Sequence, residues 1–440
     1  MLATLPSELL DLIIGQIASR RDLKRLCEVC TRLYDLTIPH LYRSLILCAP
    51  EFSLEHLVTD LATIPLKHLK YAEELGFSVP IHNRVESRCV HHCGNDLFDE
   101  VFQDEFTGPL ANDDNMDLGD TYESTDKDLM VGPLFDLSRA LDPLRLSDDQ
   151  LRSFRWEVGT CVPKALFHGN RSFLGNQRRL QSITIITDGE CGANKNYSAN
   201  LVQFRELLSL DWRGLNQFHD FESVSECIKA HGHQIQSLTL DLLAWARAEK
   251  IWADGYRQRT PQPARIPDNF FSQRVLDIHP QDHKVIFLSL ESLHLSAVSF
   301  SHTAMEMAYA FNIERLRSLK LRNCPGSLDW LQVILNSGKS MELKTFELAL
   351  DLNSLPRDAY LHITETISNF IQLISGLESL YLMLPAPIDW TTLTDNLSTH
   401  HHHLKRFVMH HLVDRGGQDF IDGQSLAKAT AKAVMQIDTC

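Results

Sequence analysis

Residues 290–295 read Leu-Glu-Ser-Leu-His-Leu, and residues 316–321 repeat the pattern as Leu-Arg-Ser-Leu-Lys-Leu. Apolar residues occupy the first, fourth and sixth positions of both copies. Alternation of apolar and polar residues is typical of a β-strand that buries one face. The pattern therefore predicts a short strand in each copy, with its third and fifth residues directed away from the core.

The same six-residue pattern recurs along much of the chain. Its copies begin at residues 151, 180, 207, 235, 290, 316, 343, 377 and 404. The intervals are 26 to 29 residues, apart from one of 34 and one of 55, so the period lies near 27. This period resembles that of leucine-rich repeats, and Cys324 stands where that motif has Asn or Cys. The resemblance implies an α/β repeat solenoid, a horseshoe with parallel strands inside and helices outside.

A small hydroxyl residue occupies the third position in eight of the nine copies. These residues are Ser153, Ser182, Ser209, Ser237, Ser292, Ser318, Thr345 and Ser379, and Arg406 replaces them in the last copy. Equivalent positions of stacked parallel strands lie about 4.8 Å apart, so the series predicts a ladder on one face. Two interpretations stay open: a polar binding track, or relief of crowding on the inside of a curved sheet.

The segments between several copies have the 3.6-residue spacing of amphipathic helices. The clearest runs are Ile363, Ile367, Phe370, Ile371 and Ile374, then Val224, Cys227 and Ile228, and Leu328, Leu331 and Leu335. Residues 425–437 predict a final helix that caps the stack.

Residues 5–47 read LPSELLDLIIGQIASRRDLKRLCEVCTRLYDLTIPHLYRSLIL, which predicts three short helices. Pro6 and Glu8 suit the start of the first helix. A bundle this small forms a marginal core, and we expect part of its apolar surface to be covered by a partner.

The order of these anchors resembles the F-box of fungal proteins. The resemblance implies a small all-α domain that docks on a Skp-family adaptor and, through it, on a cullin and a RING protein. It places the adaptor contacts at Leu5, Pro6, Leu9, Leu10, Ile13, Val29 and Cys30.

We divide the chain into an F-box at 1–47, a linker or first divergent repeat at 48–82, and an acidic insertion at 83–147. The repeat domain follows at 148–440, with a second insertion at about 246–284. Net charge is −15, and the stretch from Asp96 to Asp128 holds twelve acidic residues and one Lys. We expect this insertion to be a surface loop or disordered.

Composition and motifs argue against several functions. The chain lacks the basic stripe of nucleic-acid or anionic-lipid binders and an apolar run of the roughly 18–20 residues that span a membrane. Scattered cysteines predict reduced thiols in the cytoplasm or nucleus. The Cys27–Cys30 spacing, the cluster at 89–93 and the histidines at 400–403 fit packing or solvated loops better than a metal site. We therefore predict no catalytic residue, cofactor or metal.

The resulting functional hypothesis is a substrate-recognition adaptor resembling those of Skp–cullin–F-box ubiquitin ligases. Its mechanism would be proximity, because bound substrate lysines meet the conjugating enzyme at high effective concentration. The alternatives are a Skp-bound scaffold without a ubiquitination role and an unrecognised enzyme. Outward strand positions predict the contacts to an unknown protein substrate: His294, Lys320, Arg322, Glu347, Tyr381 and Met383.

Overall fold

A computed structural model of the protein describes residues 5–49, 54–79, 141, 146–167, 172–187, 199–215, 218–242, 269–279, 283–350, 362–385, 388–400 and 403–412. These residues divide into two compact units, with the boundary between Leu207 and Leu208. Each unit is a parallel α/β arrangement whose strands pair in chain order, with four described strands in the first unit and seven in the second. The coarse prediction of an α/β repeat solenoid is therefore confirmed. The acidic stretch, the cluster at 89–93, most of the second insertion and the C-terminal helix lie outside the described residues.

The first unit begins with three helices: α1 (Ser7–Ile14), α2 (Arg20–Cys27) and α3 (Thr31–Tyr42). Their core contains Leu10, Ile14, Leu23 and Leu33. The hydroxyl of Ser19 accepts a hydrogen bond from the Asp22 amide, which satisfies one orphan donor at the start of α2.

The rest of the first unit is built from repeats. Its elements are β1 (Ser44–Cys48), α4 (Leu54–Thr63), α5 (Leu66–Leu69), β2 (Glu74–Ser78), β3 (Ser153–Glu157), α6 (Lys164–Phe167) and β4 (Ser182–Ile186). The strands pair in parallel, with Ser44 opposite Glu74, Glu74 opposite Ser153 and Ser153 opposite Ser182. The residues between the predicted F-box and the acidic insertion thus include β2, and β1 and β2 are two strands that the repeat pattern missed.

The second unit continues the alternation of strands and helices. Its elements are β5 (Ser209–Leu215), α7 (Phe218–His231), β6 (Ser237–Leu242), a π-helical segment (Phe271–Val275), β7 (Ser292–Ser296), α8 (Ala304–Ala310), a 3₁₀ turn (Ile313–Arg315), β8 (Ser318–Arg322), α9 (Ser327–Asn336), β9 (Thr345–Ala349), α10 (Ile363–Leu373), β10 (Ser379–Pro385), α11 (Trp390–His400) and β11 (Arg406–Leu412). The three helices predicted from apolar spacing correspond to α7, α9 and α10.

The strand register confirms the ladder of third positions. In the second unit, Ser209, Ser237, Ser292, Ser318, Thr345, Ser379 and Arg406 lie opposite one another in order. In β5 to β10, the residues at the fourth and sixth positions of the repeat are fully or almost fully buried. Cys324 follows β8 and donates from Sγ to the carbonyl oxygen of Leu295 at 3.4 Å, so this position links neighbouring repeats.

The double-length interval adds no strand between its neighbours, because β6 pairs directly with β7. The described end of this insertion contributes the π-helical segment, in which Phe271 and Val275 are buried. The preceding Phe270 packs edge to face against Phe221 of α7, with ring centroids 5.3 Å apart. The interval therefore holds one enlarged repeat whose extra residues follow β6.

Candidate interaction surfaces

Helix α1 divides its apolar residues between core and solvent. Leu10 and Ile14 are buried, whereas Leu9, Leu12 and Ile13 are 48%, 66% and 45% exposed. Residues three and four apart share one side of a helix, so these three side chains form one apolar strip. Val29, between α2 and α3, is 67% exposed. Leu9, Leu12, Ile13 and Val29 are called the N-terminal apolar surface below.

Arg32 brings the beginnings of α1 and α3 together. Its Nη2 donates to the Leu5 carbonyl oxygen at 2.6 Å and lies 3.3 Å from the Ser7 hydroxyl. Because Arg32 is in the first turn of α3, Val29 and Cys30 lie at the same end of the bundle as Leu5 and Pro6. The predicted adaptor contacts therefore gather from two segments of the chain.

The predicted adaptor contacts differ in exposure. Pro6, Leu9, Ile13, Val29 and Cys30 are exposed, and Leu5 is half-buried against the helical core. Leu10, by contrast, is only 1% exposed and packs in that core. Its role is to hold the bundle together, whereas Leu12, which the pattern did not single out, lies on the surface.

The face of the second unit's sheet away from the core carries the predicted substrate contacts. Four of them lie side by side in one row: His294 opposite Lys320, Lys320 opposite Glu347, and Glu347 opposite Tyr381. In the next row, Ala349 lies opposite both Arg322 and Met383. The structure thus brings all six residues together. This surface, formed by the third, fifth and seventh positions of β5 to β11, is called the open sheet face below.

Ion pairs across strands organise the centre of the open sheet face. Arg322 donates from Nε to Oε1 of Glu347 at 2.6 Å. The Nζ of Lys320 lies 3.9 Å from the other carboxylate oxygen of Glu347. One largely buried carboxylate therefore holds two cations that belong to the same strand, β8.

His294 lies half-buried beside these cations. Burial and, secondarily, the charges of Arg322, Arg213 and Lys320 lower the pKa of His294 to about 3. Its Nε2 is buried and has no hydrogen-bond partner among the described residues. The imidazole is consequently neutral at physiological pH and adds no charge to the surface.

Three further polar residues of the open sheet face escaped the sequence prediction. Asp211 and Arg213 form a two-pronged pair along β5, with N–O distances of 3.0 and 2.8 Å. Burial raises the pKa of Asp241, although a hydrogen bond from Ser296 and the charge of Arg213 act in the opposite direction. Asp211 is at the fifth position of its copy, and Arg213 and Asp241 are at the seventh. The sequence could have identified all three residues, because alternation along a strand directs these positions away from the core.

The residue types that could hold a metal ion are not gathered into a site within the described part of the chain. No group of three or more His, Cys, Asp or Glu residues there is arranged to hold a metal ion. Cys27 is half-buried and Cys30 exposed, and both are free thiols. Burial, the largest cause, raises the pKa of the Cys27 thiol. No described helix is long and apolar enough to cross a membrane.

In comparisons with known proteins, no family model matches the chain, and no curated protein is detectably similar to it. The two surfaces are therefore the basis for a functional assignment.

Proposed function

We propose that the protein is a non-catalytic adaptor that docks on a Skp-family protein through its N-terminal helices and holds a protein substrate on its repeats. In this proposal the N-terminal helices are an F-box and the repeats form a leucine-rich horseshoe. A cullin and a RING protein, recruited through the Skp partner, supply the ubiquitination machinery.

The observation that carries the proposal is the N-terminal apolar surface. Three large apolar side chains on one side of the eight-residue helix α1, together with Val29 between α2 and α3, are about half or more exposed. Exposed apolar groups gathered in this way mark a site for association, because covering them removes apolar area from water. The resemblance of residues 5–47 to an F-box supplies the kind of partner.

The open sheet face supports the second half of the proposal. It presents charged, aromatic and thioether side chains on a rigid parallel sheet whose alternate residues form the core. Such a surface holds a bound protein in a defined orientation, and a substrate held near a conjugating enzyme is modified through proximity.

The test is affinity purification of the full-length protein from its native cells, comparing the wild type with Leu9→Asp plus Ile13→Asp. We expect the double variant to lose the Skp-family protein, because a carboxylate buried at an apolar interface costs several kcal/mol. Both positions are exposed in the free protein, so the variant should fold, which circular dichroism and a urea titration check.

A matched control is Leu66→Asp, which changes a residue of α5 that is 60% exposed and lies outside the proposed interface. This variant should retain the Skp-family protein. Retention of that protein by the folded double variant would overturn the proposed interface. Recovery of the Skp-family protein without a cullin, together with unchanged turnover of the co-purified proteins, would favour a scaffold over a ubiquitination adaptor.

A further inference from the structure

The ion pairs at the centre of the open sheet face are asymmetric in depth. The side chain of Glu347 is 10% exposed, whereas those of Arg322 and Lys320 are 46% and 37% exposed. The carboxylate therefore lies beneath the cations that it holds. An approaching partner meets the guanidinium and ammonium groups first.

These two cations retain unused hydrogen-bond donors. Arg322 donates a hydrogen bond from Nε to Glu347, and its two terminal nitrogens have no hydrogen-bond acceptor among the described residues. The 3.9 Å separation of Lys320 Nζ from Glu347 exceeds a hydrogen bond, and no other described acceptor contacts that Nζ. A guanidinium carries five N–H donors in a planar fork that matches a carboxylate. Glu347 thus orients donors that remain available to a ligand.

The charge balance of the face points the same way. Its third, fifth and seventh positions carry four cations, Arg213, Lys320, Arg322 and Arg406, against three carboxylates, Asp211, Asp241 and Glu347. Burial also raises the pKa of Asp241, which disfavours its charge. These positions therefore carry one more cation than carboxylates, in a chain whose net charge is −15.

An apolar area adjoins the cations. Tyr381 and Met383 belong to β10, and Val408 of β11 lies opposite Tyr381 and is exposed. The Tyr381 hydroxyl donates toward Met383 Sδ at 3.9 Å, which holds the two side chains together. Strands β8 and β10 are two steps apart, or about 10 Å, and an extended peptide covers that distance in about three residues.

We infer that the open sheet face binds an acidic peptide segment of a partner protein, with carboxylates on Lys320 and Arg322 and an apolar side chain about three residues away on Tyr381 and Met383. The inference rests on the proposed function, because it names the class of substrate held at the same surface. The neutral, unpartnered imidazole of His294 borders the carboxylate site and offers it a further polar contact.

The experiment measures binding of a fluorescein-labelled peptide to the full-length protein by fluorescence anisotropy. The probe carries two glutamates and, three residues later, a phenylalanine, in a background of glycine and serine. A second probe replaces both glutamates with glutamine. We expect the acidic probe to bind about tenfold or more tightly than its glutamine counterpart, because a charge-assisted hydrogen bond is stronger than a neutral one.

Protein variants locate the binding. Lys320→Gln and Arg322→Gln should each weaken the acidic probe about tenfold, and Arg322→Lys should weaken it less because the charge is kept. The control is Arg317→Gln, which removes a cation that pairs with Glu342 just before the same strand, outside the open sheet face. The affinity of Arg317→Gln for the acidic probe should stay within about twofold of the wild-type affinity, because a surface ion pair contributes little to stability.

Several outcomes would overturn the inference: equal binding of the two probes, equal loss in Arg317→Gln and Arg322→Gln, or absence of binding by the acidic probe. Tighter binding of a single-stranded RNA, with the same dependence on Lys320 and Arg322, would identify nucleic acid as the ligand instead. The glutamine probe keeps the test valid even where a variant misfolds. Leu9→Asp plus Ile13→Asp should leave peptide binding unchanged, so failure of the adaptor contact and failure of the peptide site are distinguishable.

Discussion

The Nε2 atom of His40 lies 2.7 Å from Oδ1 of Asp11, although 29 residues separate them in the chain. This contact joins α1 to α3 beside the apolar core that the two helices share. Since α1 is held by Asp11, Leu10 and Ile14, the adjacent side chains of Leu9, Leu12 and Ile13 are left to solvent. The orientation of α1 thus exposes three of the four residues of the N-terminal apolar surface.

Neighbouring leucines of α1 should differ sharply in their effect on stability. We expect Leu10→Ala to lower the free energy of unfolding by about 2–5 kcal/mol, because it leaves a cavity in the helical core. Leu9→Ala should change it by no more than about 0.5 kcal/mol. Urea titrations followed by circular dichroism provide the comparison, and similar losses for the two variants would contradict the assignment of Leu10 to the core.

Two glycines with positive φ offer a second matched pair. Gly326 is the N-cap residue that precedes α9 and has φ of +72°, and a Cβ there would lie 2.5 Å from the Ser301 amide nitrogen. Gly338 has φ of +65° and open space around the same position. Gly338→Ala should cost about 1–2 kcal/mol from backbone strain alone, and Gly326→Ala at least about 2 kcal/mol more from the added clash. Denaturation midpoints of the two variants decide this, with equal losses as the contrary result.

The pH dependence of stability should contain a contribution from His294. The folded-state pKa of about 3 lies below the ordinary value of 6.5, so the unfolded chain binds a proton more readily than the folded one. The contribution is fully present above pH 6.5 and is lost as pH falls toward 3, by at most about 1.4 kcal/mol per pH unit. His294→Gln should flatten the urea-derived stability profile in this window.

The raised pKa of Asp241 changes the stability with pH in the opposite direction to His294. The folded state holds the Asp241 proton more tightly than the unfolded chain, so this contribution to stability is lost as pH rises through the folded-state pKa. The informative quantity is therefore the difference between wild type and His294→Gln at each pH. A difference that stays constant from pH 7 to pH 4 would show that His294 titrates alike in both states.

Thiol reactivity should follow burial. Burial raises the pKa of both Cys227 and Cys324 to about 12, which leaves almost no reactive thiolate at pH 8. Cys30 and Cys48 are exposed. Brief iodoacetamide treatment of the native protein should label the exposed pair, and labelling of the buried pair should require urea, as read by peptide mass spectrometry. Early labelling of Cys227 or Cys324 would indicate that the repeats open locally.

Much of the repeat architecture was predictable because strands that bury one face must alternate. The small hydroxyl residue at the third position predicts the register in which the strands pair. Strands β1 and β2 escaped detection because Tyr42 and Ala72 occupy the first position, where other copies have a large aliphatic residue. Glu74 also replaces the hydroxyl residue in β2. The parallel pairing of β2 with β3 places Glu74 opposite Ser153, so β2 occupies the same register as the recognised repeats despite these substitutions.

The candidate sites were predictable only to the level of which face a residue occupies. Outward positions in the strands follow from period two, and the six predicted contacts share one face for that reason. Which cation meets which carboxylate depends on side-chain reach across strands, as in the pairing of Arg322 with Glu347. In α1, apolar residues surround most of the helix, so their spacing alone did not decide that Leu10 faces inward and Leu9 outward.

The alternation along each strand separates two kinds of residue by a single step in the chain. In β8, Leu319 and Leu321 are fully buried, whereas Lys320 and Arg322 contact solvent. The binding specificity of the open sheet face can therefore be changed by substituting its outward residues while the buried residues of the same strands are kept. For protein engineering, the open sheet face is a scaffold on which new specificities could be selected at little cost to folding.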